Sequence, residues 1–518
     1  MGRIPVKFGL RQLLAGLLLA VAVGPVVVLM GSVTRSNDAS LIGAFGSDWL
    51  PLLGRSIVLA GTVSGLSTGL GVGFGFLFAR IDMPAKSPLQ LLLSVPLFIS
   101  PYILAVAWSD GFYGLGWDRT ALFGPVGVAG ILTAVYTPLA TYFIAGSLGN
   151  IHASLEEAGL LMTTYPVVFR RIVLPLIRPA VVSSFGLIFV LALSEFSVPS
   201  YLGVSTLVTE IFTQFAAFYR YDVAILQSAA LIGLCLLLLW PERIFLANTP
   251  FVSMGSRSFR TMTRGGIRGR WLAGAVVALY VGSVVGLPIV LLTRQALSRG
   301  FTDLAEAFRL LSPTLIPSLG LAAAGAILLT ASAYALARTK LPGSNGLLLG
   351  LFAVPSTVLG IAYLRFYNSP GLSGIYQSSL MILLVYWGRF LFIPLRLLTG
   401  AMAQLSPTLE EAARLVGADS GQRFRHILFP LLADAFSTAF LLGFILCLNE
   451  LSTVILVYPP GTQVMSVKVF TYMANARQSV VSALSLVVLL ITGGALAGLL
   501  ALRHILFTTP WRQPLVSS

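Results

Sequence analysis

The chain has 518 residues, of which 57% are hydrophobic and only 10% charged, and its mean hydropathy is +0.91. A soluble fold of this size cannot hide so much apolar surface, so lipid must be its solvent. The net charge of +15 would suggest nucleic acid for a soluble protein. Here the basic residues fall in short segments between apolar runs, where they set membrane orientation, and no nucleic-acid partner is expected.

Apolar runs long enough to span a bilayer recur along the chain. In the first half they lie near residues 10–30, 54–79, 88–109, 122–148, 181–203 and 224–242. In the second half they lie near 271–293, 314–337, 344–366, 375–399, 434–458 and 479–502. This predicts an all-α polytopic membrane protein of about 12 spans. The first run follows Arg3, Lys7 and Arg11 and is not followed by a clear small-x-small cleavage site, so a retained span is expected rather than a removed signal. Gly61, Gly65, Gly69 and Gly73 stand at four-residue spacing in the second run and predict a face for close helix approach. Cys235 and Cys447 each lie inside an apolar run, without metal-ligand spacing, so neither a disulfide framework nor a metal site is expected.

Segments 80–87, 149–180, 243–270, 338–343 and 400–433 collect more lysine and arginine than those on the opposite side. The positive-inside rule then puts both termini in the cytoplasm. Arg257, Arg260, Arg264, Arg268 and Arg270 mark residues 247–270 as a basic linker between a first unit, 1–246, and a second, 271–518.

Two of these cytoplasmic segments repeat each other. The first, within 151–176, reads Ser154-Leu-Glu-Glu-Ala-Gly159 and continues to Phe169-Arg-Arg-Ile-Val-Leu-Pro175. The second, within 405–431, reads Thr408-Leu-Glu-Glu-Ala-Ala-Arg-Leu-Val-Gly417 and continues to Phe424-Arg-His-Ile-Leu-Phe-Pro430. The pattern reads as helix, turn, helix, with acid in the first turn and Gly417 permitting the reversal. The repeat extends further: Ala79-Arg80-x-x-x-Pro84 matches Ala337-Arg338-x-x-x-Pro342, Pro96 matches Pro355, and Glu195 matches Glu450. Both halves therefore run parallel, related by a pseudo-two-fold axis along the membrane normal, with a pathway between them.

Glu411-Ala412-Ala413-x-x-x-Gly417, followed by a hydrophobic step to Pro430, resembles the EAA loop of binding-protein-dependent ABC importer permeases. The resemblance covers nearly the whole chain as two permease units fused in tandem, and implies the type I ABC importer fold. It implies a coupling helix in each loop that docks on an ATP-hydrolysing subunit. It also implies two copies of that ABC ATPase, an extracytoplasmic solute-binding protein, and residence in the bacterial cytoplasmic (inner) membrane. Glu157, Ala158 and Pro175 carry the motif into the first loop. There Gly159 stands at the third position, Thr163 replaces the turn glycine, and the segment before Phe169 is one residue shorter.

The chain has no G-x-x-x-x-G-K-[ST] loop and no long soluble segment, so ATP hydrolysis and solute capture are expected on separate subunits, and the chain is expected to be neither an enzyme nor the holder of a cofactor. Glu195 and Glu450 fall toward the outer ends of the fifth and eleventh runs and are candidates for lining the pathway. Arg389, in the tenth run, is a third candidate, expected to pair with Glu450. Ser194-Glu-Phe-Ser-Val-Pro199 and Thr206-Leu-Val-Thr-Glu-Ile-Phe212 resemble the ferric-iron and thiamine permease branch, which implies ferric iron as solute. Thiamine, phosphonates and oxyanions stay open. So does a different class, the ion-coupled secondary transporter, which can share twelve spans but has no need of two EAA loops.

Overall fold

The computed structural model describes residues 10–33, 44–149, 151, 153–246, 267–339 and 344–508. Most of the expected basic linker, with Arg257, Arg260 and Arg264, lies outside the described residues, as do both chain ends and Pro342. The described chain is almost wholly helical; a four-residue extended segment, Ser298–Phe301, is the exception.

The first half begins with α1 (Leu10–Ser32) and α2 (Trp49–Arg80). A bent pair follows, α3 (Lys86–Phe98) and α4 (Pro101–Leu115), then α5 (Pro125–Gly149). The loop helix α6 (Ala153–Met162) leads into α7 (Tyr165–Leu193). Two short helices, α8 (Ser197–Tyr201) and α9 (Leu207–Ala216), precede α10 (Tyr221–Leu246).

The second half repeats this order. It opens with α11 (Arg268–Ala296) and α12 (Thr302–Thr339). The bent pair is α13 (Ser344–Ala353) and α14 (Ser356–Tyr367). Next come α15 (Leu380–Phe390) and α16 (Phe392–Met402), bent by 53° where the first half has the continuous α5. The second loop helix is α17 (Pro407–Leu415), followed by α18 (Ser420–Leu431) and α19 (Ala433–Asn449). Short helices α20 (Val454–Val457) and α21 (Met465–Asn475) precede α22 (Gln478–Thr508).

Three sequence expectations need correction. The fifth span runs from Tyr165 to Leu193, not 181–203, because the helix begins well before the charged stretch around Arg170 and Arg178 ends. The bend in the third span falls at Ile99-Ser100, after Pro96, and measures 99° against 101° at Pro355. Ser100, extended at ψ 132°, is thus the counterpart of Pro355, at ψ 141°. They are 255 residues apart, the offset that also relates Pro175 to Pro430. Third, Gly65, Gly69 and Gly73 have no neighbour where a Cβ would stand. Close approach to α5 is made instead by Gly71 and Gly75, against Ala140 and Ile144. Small buried residues (Ser64, Ser67, Gly71 and Gly75) share that face, and small faces are how helices associate in lipid.

The halves interlock. α1 packs on α14 of the second half, where Tyr363 Oη donates to the Ala22 carbonyl at 2.8 Å. In return α11 packs on α4 of the first half. One continuous apolar core includes residues of both halves.

Candidate functional site

The first element of the site is the pair of repeated loops. In the second loop Ser406 is extended and Pro407 opens α17, where its missing N–H costs nothing. Gly417 then sits at φ +82°, the left-handed region that ends helices, and Asp419 caps the return helix by accepting from Gln422 N at 2.6 Å. The first loop turns without a left-handed residue, being one residue shorter: Thr163 N donates to Gly159 O at 3.1 Å and Thr164 is extended before Tyr165. Gly159 has its own reason. A Cβ there would stand 2.8 Å from Ile172 Cδ1 and 3.1 Å from Val168, so glycine lets α6 lie down on α7.

Pro175 and Pro430 stand at the same place in their halves, each just after a π-helical turn, Phe169–Val173 and Phe424–Leu428. A proline ring blocks the ordinary i→i−4 bond, and a wider turn absorbs it.

The motif glutamates face outward: Glu157 and Glu411 are exposed, with Ala158 and Ala412 beside them, and Ala413 is half-buried. Sequence reasoning passed over their neighbours. Glu156 is fully buried and paired with Arg80; Glu410 is paired with Arg338. The repeated Ala-Arg step at the end of the second span was the signal that marked the partners. At the tips, Leu161 and Met162 are 87% and 88% exposed, and Leu415 and Val416 are 90% and 86% exposed. Four large apolar side chains at matched positions are unusual for a surface with nothing to cover it.

The second element is the pair of helix breaks between the halves. Glu195 and Glu450 lie just beyond α7 and α19, not within the spans. Each carboxylate caps the short helix that follows. Glu195 Oε1 accepts from Ser197 N at 2.8 Å and from Ser197 Oγ; Glu450 Oε1 accepts from Thr453 N and Oγ1, both at 2.8 Å. The residue before each glutamate binds the bend of the other half. Asn449 Nδ2 donates to Phe98 O at 3.0 Å, and Ser356 Oγ donates to Ser194 O at 3.2 Å. The two carboxylates are close enough to feel one another's charge, and Tyr136 feels both of them and Arg389. Tyr136 is 8% exposed and its hydroxyl has no hydrogen bond among the described residues.

Arg389 does not pair with Glu450 among the described residues. Its Nη1 donates to the carbonyls of Val354 at 2.8 Å and Phe352 at 3.3 Å, and its guanidinium lies 5.6 Å from the Phe352 ring centroid. The 101° bend after α13 strips those carbonyls of helical partners, and a cation satisfies a helix C-terminus. Arg389 is thus a clamp on the bend. No three His, Cys, Asp or Glu side chains converge as a metal site among the described residues.

A membrane protein of two like units, each with an outward-facing loop helix, is the class that this geometry defines, and the chain belongs to the family of binding-protein-dependent transport system inner membrane components, which it matches over residues 65–245 and 342–503, once in each half. It is 24% identical over 453 residues to the Fe(3+)-transport system permease protein FbpB 2 of Haemophilus influenzae, covering 85% of this chain and 88% of that protein. It is 24% identical over 472 residues to the ferric transport system permease protein FbpB of Actinobacillus pleuropneumoniae, 83% of this chain and 68% of that one. Over 144 residues it is 28% identical to the putative 2-aminoethylphosphonate transport system permease protein PhnV of Salmonella typhimurium, 27% of this chain and 52% of that protein.

Proposed function

We propose that this chain is the membrane pathway of an ATP-driven importer that receives ferric iron from an extracytoplasmic binding protein and passes it between its halves into the cytoplasm. One observation carries the reading: two matched loops present the same exposed set, Glu157 with Leu161 and Met162, and Glu411 with Leu415 and Val416. Two equal docking surfaces suit two copies of one ATPase subunit, and the reading puts the loops and both termini in the cytoplasm. Ferric iron is favoured because relatives named for ferric transport align over most of this chain, whereas the phosphonate relative aligns over 27% of it. Glu195 and Glu450 are carboxylic side chains at the helix breaks between the halves, a chemistry that suits a cation. The test is uptake by vesicles holding this chain with an ABC ATPase and a ferric-binding protein that co-purify with it. ATP-dependent uptake of radiolabelled ferric iron is expected. Uptake of 2-aminoethylphosphonate without iron would overturn the substrate, and uptake that ignores ATP but follows an ion gradient would overturn the class.

A further inference from the structure

Both loops are tied to the second span of their own half, and at two points each. In the first half Arg80 pairs with Glu156 of the loop helix, and Phe76 packs on Phe169 of the return helix with ring centroids 5.8 Å apart. In the second half Arg338 pairs with Glu410, and Tyr334 packs on Phe424 at 5.2 Å. Phe76 and Arg80 are four residues apart, as are Tyr334 and Arg338, so each pair occupies one helix face. Arg80 Nη2 also donates to Leu148 O at 3.0 Å, which binds the end of α5 into the same knot.

Farther along each helix, a serine holds the start of a short helix. Ser56 Oγ accepts from the backbone N–H of Leu207, and Ser318 Oγ from that of Met465, each at 2.8 Å. Those amides open α9 and α21, the short helices at the face opposite the loops. The stretches that join the two attachments, Ser56 to Arg80 in α2 and Ser318 to Arg338 in α12, are helical throughout and free of proline, so at ~1.5 Å per residue they span about 36 and 30 Å.

We propose that α2 and α12 are transmission rods, and that Arg80, Arg338, Glu156 and Glu410 are positioning residues that yoke the loops to them. A loop pushed by its partner moves the second span of its half, which carries the displacement to α9 or α21. The inner glutamate of each loop holds the channel, and the outer one, Glu157 or Glu411, is left for the partner. A guanidinium paired with a carboxylate away from water fixes direction as well as distance, and the aromatic contact one turn away stops the loop from pivoting about it. The two knots differ: the side chains of the first pair are 8% and 0% exposed and those of the second 21% and 25%, so the second can be cut with less damage to the fold.

This inference rests on the loops being docking elements, but its test needs no partner. A spin label replaces Val416 in a chain lacking Cys235 and Cys447, held in lipid nanodiscs without ATPase. Arg338→Glu and Glu410→Arg should each raise the label's mobility several-fold, and the exchanged double variant should bring it back. Tyr334→Leu, which changes no charge, should loosen the loop in the same direction. In vesicles with the ATPase, ferric uptake should fall several-fold in the single variants and recover in the exchange. A label as rigid in the single variants as in the parent, or an exchange as mobile as either single variant, would overturn the yoke and leave the importer reading standing.

Discussion

Glu410 and Glu411 are neighbours with different surroundings, and which of them turns inward could not be read from the sequence. Successive helical residues point about 100° apart, so a Glu-Glu pair must send its members to different surroundings. The motif drew attention to Glu411, while the ion pair belongs to Glu410. Glu411→Lys is expected to insert and fold as the parent does and to lose co-purification with the ATPase, because a cation replaces an exposed anion near the start of the loop helix. Pull-down at parental yield with full transport would refute it. The turn residues give a second contrast. Gly417→Val must force a β-branched residue to φ +82°, at a cost of about 1–2 kcal/mol. Thr163 is not in that region, so Thr163→Val should leave the melting temperature and transport close to parental values. Equal losses at matched expression would count against this account of the two turns.

At the scale of elements, apolar runs located the spans but not their breaks. Matching proline to proline pairs Pro96 with Pro355, yet a proline early in a short helical segment is tolerated, and the chain bends where Ser100 precedes Pro101. The fifth span was misplaced because Arg170, Arg171 and Arg178 lower the apparent hydropathy of a helix that begins at Tyr165. Arg389 was legible as a costly charge in a span, but its partner was not, since backbone carbonyls freed by a distant bend leave no mark in the sequence. The reassignment has a measurable consequence. Arg389→Gln should lower thermal stability strongly, by a few kcal/mol, because buried carbonyls lose a charged donor. Glu450→Gln should cost less, and the two effects should add within about 0.5 kcal/mol. A larger coupling energy in that double-mutant cycle would restore the direct ion pair.

At the scale of the molecule, the internal repeat was the most legible feature, because equal offsets survive even where individual residues diverge. Pro175 and Pro430, and Glu195 and Glu450, share one offset, and the structure adds Ser100 and Pro355 to the same series. What the repeat could not convey is that each half closes on the other, through Asn449 to Phe98 and Ser356 to Ser194. Those bonds hold each glutamate beside the other half's bend, where a pathway along the pseudo-axis would pass. Cysteines at positions 195 and 450, in a chain lacking the buried Cys235 and Cys447, are therefore expected to react with a small water-soluble thiol reagent. Both should change their labelling rate when ATP hydrolysis is blocked, because alternating access opens a shared cavity to one side at a time. The two positions should respond alike, since a two-fold repeat sets them on either side of one axis. Carboxylates avoid lipid, so the competing explanation is that each serves only as a cap, through Ser197 and Thr453. Caps sealed in protein would stay unlabelled in every state, and that outcome would reduce Glu195 and Glu450 to structural residues.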